Sequence, residues 1–354
     1  MSDAPPPFPS AAPVQDPTAA GRKEDHIELA FRSQIAGATL DQRFDYEPML
    51  AAHPIPGSLP ATPFGGKSLR APLWVSSMTG GTEKALTINH NLARACREFG
   101  IGMGLGSCRS LLYDDARLPD FNVRPLTGPD VPLFGNLGVA QVEELLRDGE
   151  VQMIHQLVTL LDLDGLIIHV NPLQEWLQPE GDRFRESPLA VVKATLEALA
   201  GRVPLIVKEV GQGFGPASLR ELLRLPLLAL DTAAGGGTNF SQLELLRSDE
   251  VSRRAFAPLA NVGHSVFEMR AMLDRLITEL GSEVRCQSVI FSGGVKSFLE
   301  GYWLMEGCQL PAIYGQASAF LRYARADYGE LRQFVETQVR GLELARAYLR
   351  PRYE

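Results

Sequence analysis

The chain has 354 residues, 45% hydrophobic and 21% charged, the make-up of an ordinary globular protein. Lys plus Arg total 34 and Asp plus Glu 42, and a net charge of −8 excludes the basic footprint of a nucleic-acid binder. No apolar run approaches the roughly 18 residues of a membrane span, and cysteines at 96, 108, 286 and 308 lack metal-ligand spacing, which points to buried thiols of a reducing, cytoplasmic compartment.

Residues 1–20 hold six prolines and five alanines without Lys or Arg. They lack the basic start and apolar core of a signal peptide and read as a disordered leader. Order is expected to begin at Gly21-Arg22-Lys23-Glu24-Asp25-His26, where charge density rises. From residue 72 short apolar runs alternate with amphipathic stretches. The spacing predicts strands over 72–77, 101–104, 132–135, 165–170, 204–210, 227–230, 288–292 and 311–315. Helical patterns lie between them, for example over 84–99, 141–161 and 188–201. Residues 240–280 exceed one crossover and read as an insertion after the sixth strand; 328–349 read as a closing helix. Eight apolar strands separated by helices predict an α/β fold, a TIM (β/α)8 barrel. It would form one domain over 21–354, with an N-terminal extension and a C-terminal helix.

Two glycine motifs mislead at first sight. Gly66-Lys67-Ser68 resembles the end of a phosphate-binding P-loop, but the glycine required five positions earlier is Ala61, and Pro60 and Pro63 oppose a feeding strand. From Gly100 to Gly106 every second residue is glycine, along a strand rather than at a helix start. Those glycines either leave room for something flat in the barrel mouth or serve tight packing.

Barrel enzymes carry their chemistry at the C-terminal strand ends. The first strand leads into Ser76-Ser77-Met78-Thr79-Gly80-Gly81, a small hydroxyl-rich turn, and the second into Gly106-Ser107-Cys108-Arg109. Arg109 could clamp a phosphate or make a surface ion pair. Asn136, after the third strand, could recognise a heterocycle or cap a helix. The fourth strand ends in His169-Val170-Asn171-Pro172-Leu173-Gln174-Glu175, four polar groups converging on one rim. Glu175 could hold a hard cation such as Mg2+ together with substrate phosphate oxygens. Lys208, inside an apolar run, could form a Schiff base, meet the anionic side of a flavin, or pair with Glu209. Gly235-Gly236-Gly237-Thr238 can wrap a ligand closely. Ser292-Gly293-Gly294 and Gly315-Gln316-Ala317, after strands seven and eight, are placed as the phosphate site of many barrels. They predict a phosphorylated cofactor or substrate.

Taken in order from about residue 22 to 321, these segments resemble the type 2 isopentenyl diphosphate isomerases, FMN-dependent barrels. The resemblance implies that Arg22, Lys23 and His26 bind a diphosphate. Ser107, Arg109, Asn171 and Gln174 would bind substrate, His169 and Gln174 would be catalytic, and Glu175 would hold Mg2+. Ser77, Met78, Thr79, Ser107, Asn136, Lys208 and Thr238 would contact FMN, whose phosphate would rest on Gly293, Gly294, Gln316 and Ala317. The implied reaction converts isopentenyl to dimethylallyl diphosphate without net redox change, with reduced FMN as acid and base and NADPH as its reductant. The resemblance also implies a homo-oligomer, a tetramer or larger. Cys108 stands where the family commonly has Gln, Ala233 where a hydroxyl residue is frequent, and Lys296 where an Arg commonly follows Gly-Gly. The alternative is an FMN-dependent oxidoreductase of the hydroxy-acid oxidase or inosine-phosphate dehydrogenase kind. The first kind needs a His and Arg pair after the later strands and the second a nucleophilic Cys on a mobile loop. Neither pattern is evident here.

Overall fold

The computed structural model describes residues 18–77 and 79–353, which divide into two compact units meeting at Phe44 and Asp45. Residues 1–17, most of the expected leader, lie outside the described residues. In the first unit a helix spans Ala19–Leu29, beginning two residues before the expected start of order, and carries Arg22, Lys23 and His26 as exposed side chains. Arg22 and His26, four apart, share one face of it.

The second unit contains the barrel. Its strands, here β1 to β8, are Leu73–Val75, Gly102–Gly104, Leu133–Gly138, Gly165–Val170, Leu205–Glu209, Ala229–Asp231, Val289–Phe291 and Ala312–Gln316. Every neighbouring pair is parallel, and β8 pairs with β1 to close the barrel. All eight lie on the predicted runs. β3 extends three residues past its expected end, so Asn136 sits within the strand rather than on the loop after it. β6 starts and stops later than expected, bringing Asp231 onto its last position.

Trp74, Phe134, Ile167, Ile206, Ala229, Ile290 and Ile313 fill the barrel interior. A hairpin of Thr62–Phe64 and Lys67–Leu69 adds Phe64 and Leu69 to that cluster. Its turn is Gly65-Gly66, both at positive φ (59° and 78°), the two-residue geometry that suits the twist of a hairpin. This is the structure of the P-loop look-alike. Lys67 pairs with Asp164 at 2.6 Å, just before β4, so it is bound at the N-terminal end of the barrel, away from the rim where chemistry is expected. The alternating glycines of β2 also resolve in favour of packing. A Cβ on Gly102 would lie 2.4 Å from the Trp74 ring, and one on Gly104 2.6 Å from Ile167.

The helix after β1, Glu83–Phe99, starts where the Thr82 side chain accepts from the Ala85 N–H and stops at left-handed Gly100. The helix expected over 141–161 is two, Val139–Arg147 and Gln152–Leu160, parted at Gly149 (φ 71°). The insertion after β6 holds three helices, Phe240–Arg247, Glu250–Ala260 and Val266–Leu280. The closing helix is Tyr328–Tyr348. Among the described residues, no helix is long and apolar enough to cross a membrane.

Candidate active site

In-register pairing sets Gly138 beside His169, His169 beside Lys208, and Lys208 beside Asp231. Residues paired in a parallel sheet point to the same face, so this row crosses the rim as one level of side chains. Two cavities meet there. Ser77, Lys208, Val210 and Phe240 belong to the walls of both.

The first cavity, 470 Å³, runs over the ends of β1, β5, β6, β7 and β8. Gly236, Gly237, Gly293 and Gly294 form much of its wall, with Thr238, Gln316 and Ala317. Backbone here approaches backbone: a Cβ on Gly293 (φ 80°) would fall 2.1 Å from the Ala234 nitrogen. Ser76 Oγ, Ser77 Oγ and Gln316 Oε1 are buried without a hydrogen-bond partner. Buried polar atoms are normally satisfied, so orphans along a cavity are where a polar ligand is received. Lys296 and Arg322 also line this cavity.

The second cavity, 350 Å³, is polar and lies over β2 to β5. It is lined by Ser107, Arg109, Asn136, His169, Asn171, Gln174 and Glu175, so the predicted substrate-facing residues of the barrel share one hollow. Asn171 Nδ2 donates to Gln174 Oε1 at 3.1 Å and to Glu175 Oε1 at 2.8 Å. The Asp182 N–H donates to the other Glu175 oxygen at 2.7 Å. Asp182 Oδ2 in turn accepts from Arg109 at 2.8 Å and from Gln141 Nε2 at 2.7 Å. Gln174 Nε2 reaches Glu244 at 3.3 Å. A third cavity, 490 Å³, touches this one through Asn171 and Gln174, has walls such as Leu173, Leu189, Val192 and Phe214, and has no Lys or Arg in its lining.

Electrostatics separates the row at the rim. His169 Nδ1 lies 2.7 Å from Asn136 Oδ1, an acceptor when the Asn136 amide nitrogen donates to the Leu105 carbonyl. The ring therefore carries its proton on Nδ1 and offers Nε2 as an acceptor. Burial, and then the charge of Lys208, lower its pKa from 6.5 to about 4, so it is neutral near pH 7. Lys208 is 7% exposed, and its Nζ donates to the Glu209 carbonyl at 2.6 Å. The Glu209 carboxylate makes no ion pair with it. Glu209 points to the opposite face of the strand, where Oε2 accepts from the N–H groups of Gly211, Gln212 and Gly213. The Lys208–Glu209 pairing considered from the sequence is thereby set aside. Burial raises the pKa of Asp231, opposed by Lys208 and by Ser292.

Thr79 packs its backbone against Gly106 and lines neither cavity. Met78 lies outside the described residues. Arg22, Lys23 and His26 belong to the other unit. Sequence reasoning missed Gln141, Asp182, Asp231, Glu244 and Arg322. Only Asp231, at the end of an apolar run, carried a local signal; the others reach the rim from helices and loops.

Fold and rim together define an α/β-barrel enzyme with its polar groups gathered at the C-terminal strand ends. Among solved structures, a flavocytochrome b2 variant with sulfite bound superposes with a TM-score of 0.57 at 11% identity, covering 86% of this chain and 72% of that one. A mandelate oxidase variant with a monooxide FMN adduct gives 0.51 at 12%, covering 88% and 89%. At such identities the likeness is one of fold. No family model matches the chain. Curated relatives are more similar in sequence. The isopentenyl-diphosphate delta-isomerase of Rickettsia felis is 35% identical over 334 residues, covering 91% of this chain and 90% of that protein. Its namesake from Rickettsia prowazekii is 33% identical over 329 residues, covering 90% and 89%. The chain belongs to the isopentenyl-diphosphate delta-isomerase family.

Proposed function

We propose that the protein interconverts isopentenyl and dimethylallyl diphosphate, using reduced FMN with Mg2+ and with NADPH as the flavin's reductant. The observation that carries the proposal is the junction at Lys208, where a glycine-walled hollow adjoins a polar one bearing Arg109 and Glu175. The first hollow suits FMN: its glycines admit a phosphate and a flat ring to the backbone, and its orphaned Ser76, Ser77 and Gln316 atoms supply hydrogen bonds. The second suits Mg2+ in the manner of a hard cation that takes one carboxylate, Glu175, and completes its shell with water and substrate phosphate. Among the described residues, no group of three or more His, Cys, Asp or Glu could hold a metal by protein ligands alone. The same reading includes a cytoplasmic homo-oligomer.

The reaction adds a proton at the terminal alkene carbon and removes one from the carbon two bonds away, with no net electron transfer. FMN, when bound and reduced, would supply the acid–base chemistry and stabilisation of cationic character at the tertiary carbon. Every other contribution is assigned to the chain. His169, neutral and held by Asn136, presents Nε2 as an acceptor. Gln174, fixed between Asn171 and Glu244, orients the substrate beside it. Arg109 would bind the diphosphate directly and Glu175 would do so by holding Mg2+, and Arg22, Lys23 and His26 are proposed to add to that charge. Ser77, Met78, Ser107, Asn136, Lys208 and Thr238 would seat the ring, without Thr79, which lines neither cavity; Gly293, Gly294, Gln316 and Ala317 would seat the phosphate. Lys208 would offer its ammonium to the electron-rich edge of the ring. Val210 and Phe240, at the junction, exclude water.

The test is turnover of isopentenyl diphosphate by purified protein with prereduced FMN and Mg2+, followed by proton NMR. Dimethylallyl diphosphate should appear without consumption of reductant beyond the initial reduction. A protein that binds no FMN would overturn the reading. Turnover by oxidised flavin with stoichiometric electron loss would favour the oxidoreductase alternative. Burial pushes the Cys286 thiol up to about 12, and its sulfur donates to the Ser288 carbonyl, which opposes a nucleophilic role for it.

A further inference from the structure

We infer that Asp231 is the charge partner of Lys208, a positioning residue that keeps the lysine ammonium protonated where the two cavities meet. The functional part of this inference rests on the FMN reading of the first cavity; the charge pairing itself does not.

A buried ammonium needs a counter-charge, because leaving one unmatched is costly. The groups around Lys208 can be taken in turn. Its chain neighbour Glu209 faces away, with one carboxylate oxygen on three backbone N–H groups. His169, level with it on β4, is a neutral ring held by Asn136. In the second cavity Glu175 has each oxygen on an N–H donor, and Arg109 is a like charge already paired with Asp182. Lys296 and Arg322, on the first cavity, are further like charges.

Asp231 remains. It stands level with Lys208 on β6 and is wholly buried. One of its oxygens accepts from the Ser292 hydroxyl and, at 3.4 Å, from the Ala233 N–H. The other, Oδ2, is buried without a partner. Among the groups facing Lys208 it is the carboxylate with an oxygen left without a hydrogen bond; no Asp231 oxygen lies within 4.0 Å of the lysine nitrogen, so the two act on each other through space across the ends of β5 and β6. The same residue ties β6 to β7 through Ser292, directly before Gly293 and Gly294. A purely structural part, anchoring that loop, is therefore the rival, and the test must separate the two.

The direct test needs no flavin. Lys208 lines both cavities, so competitive acylation of the full-length apoprotein by a small reagent that enters them, across pH 7–11 and read by peptide mass spectrometry, reports its pKa. Asp231→Asn, which keeps the shape and a bond to Ser292, should lower that pKa by about one unit or more. Ser292→Ala, which keeps the carboxylate, should leave it unchanged. An unaltered Lys208 pKa in Asp231→Asn overturns the inference, as does an equal shift in both variants, the mark of a loop anchor. FMN titration then reads the consequence. Asp231→Asn should bind FMN roughly tenfold more weakly as pH rises past its lowered lysine pKa. The double variant with Lys208→Met should be no weaker than Lys208→Met alone; additive losses would overturn the coupling. A wild-type chain that binds no FMN would refute the cofactor reading, while the acylation result still decides the pairing.

Discussion

His169 couples site chemistry to stability. Its folded pKa is about 4 against 6.5 for the free side chain, so between those values the unfolded chain binds a proton that the folded protein refuses. The contribution is fully present above about pH 6.5 and is lost as pH falls through 4, roughly 3 kcal/mol in all. Urea unfolding should show that loss in the wild type and a correspondingly smaller one in His169→Gln; identical pH profiles would contradict the partly buried, neutral ring. Asp182 gives a second prediction at this scale. It holds Arg109 and Gln141 by one oxygen and Glu175 by its backbone N–H. The Arg109 pair is 48% and 31% exposed, so its worth is screened to roughly 1 kcal/mol. Steady-state kinetics of Asp182→Asn should give about a fivefold rise in KM for isopentenyl diphosphate with kcat nearly unchanged. A fall in kcat alone would place Asp182 elsewhere in the mechanism. His169, Asn171, Gln174 and Glu175 were legible because one strand end delivers them in seven residues. Asp182 was not, because its side-chain partners Gln141 and Arg109 lie 41 and 73 positions away.

At the scale of elements, the strands were legible because burial on both faces leaves short apolar runs, punctuated by proline before and glycine after. β3 ran longer than expected because glycine marks a turn only when the pairing stops, and Gly135 to Gly138 continue to pair with β4. The expected long helix failed at Asp148-Gly149, where an apolar period continues across a left-handed turn. The glycines of β2 illustrate the same limit. Their spacing announces a missing side chain, but only the position of Trp74 says what occupies the space. Gly102→Ala should therefore cost about 1–3 kcal/mol by overpacking against the indole, read as a lower Tm. Tolerance of alanine there would refute the packing account.

On the molecular scale, a chain of net charge −8 is proposed to bind two anionic ligands, and local cations resolve the difference: Lys296 and Arg322 on one cavity, Arg109 on the other, and Lys208 on both. Ligand binding should then appear as stability. Free FMN at a hundred times its Kd should add about 2.7 kcal/mol to unfolding and raise the Tm of the apoprotein. Glu175→Gln should leave that shift intact while weakening the Mg2+ dependence of turnover; loss of the FMN shift would contradict its placement in the second cavity. The sequence by itself determined the eight-stranded barrel and most of its rim, because both follow from local patterns: buried runs, and the short polar turns that end them. Only the tertiary structure decided which of those groups meet. Closing the barrel sets His169, Lys208 and Asp231 level through the register of three strands, and register depends on how all eight strands pair around one core, which no local stretch of chain encodes.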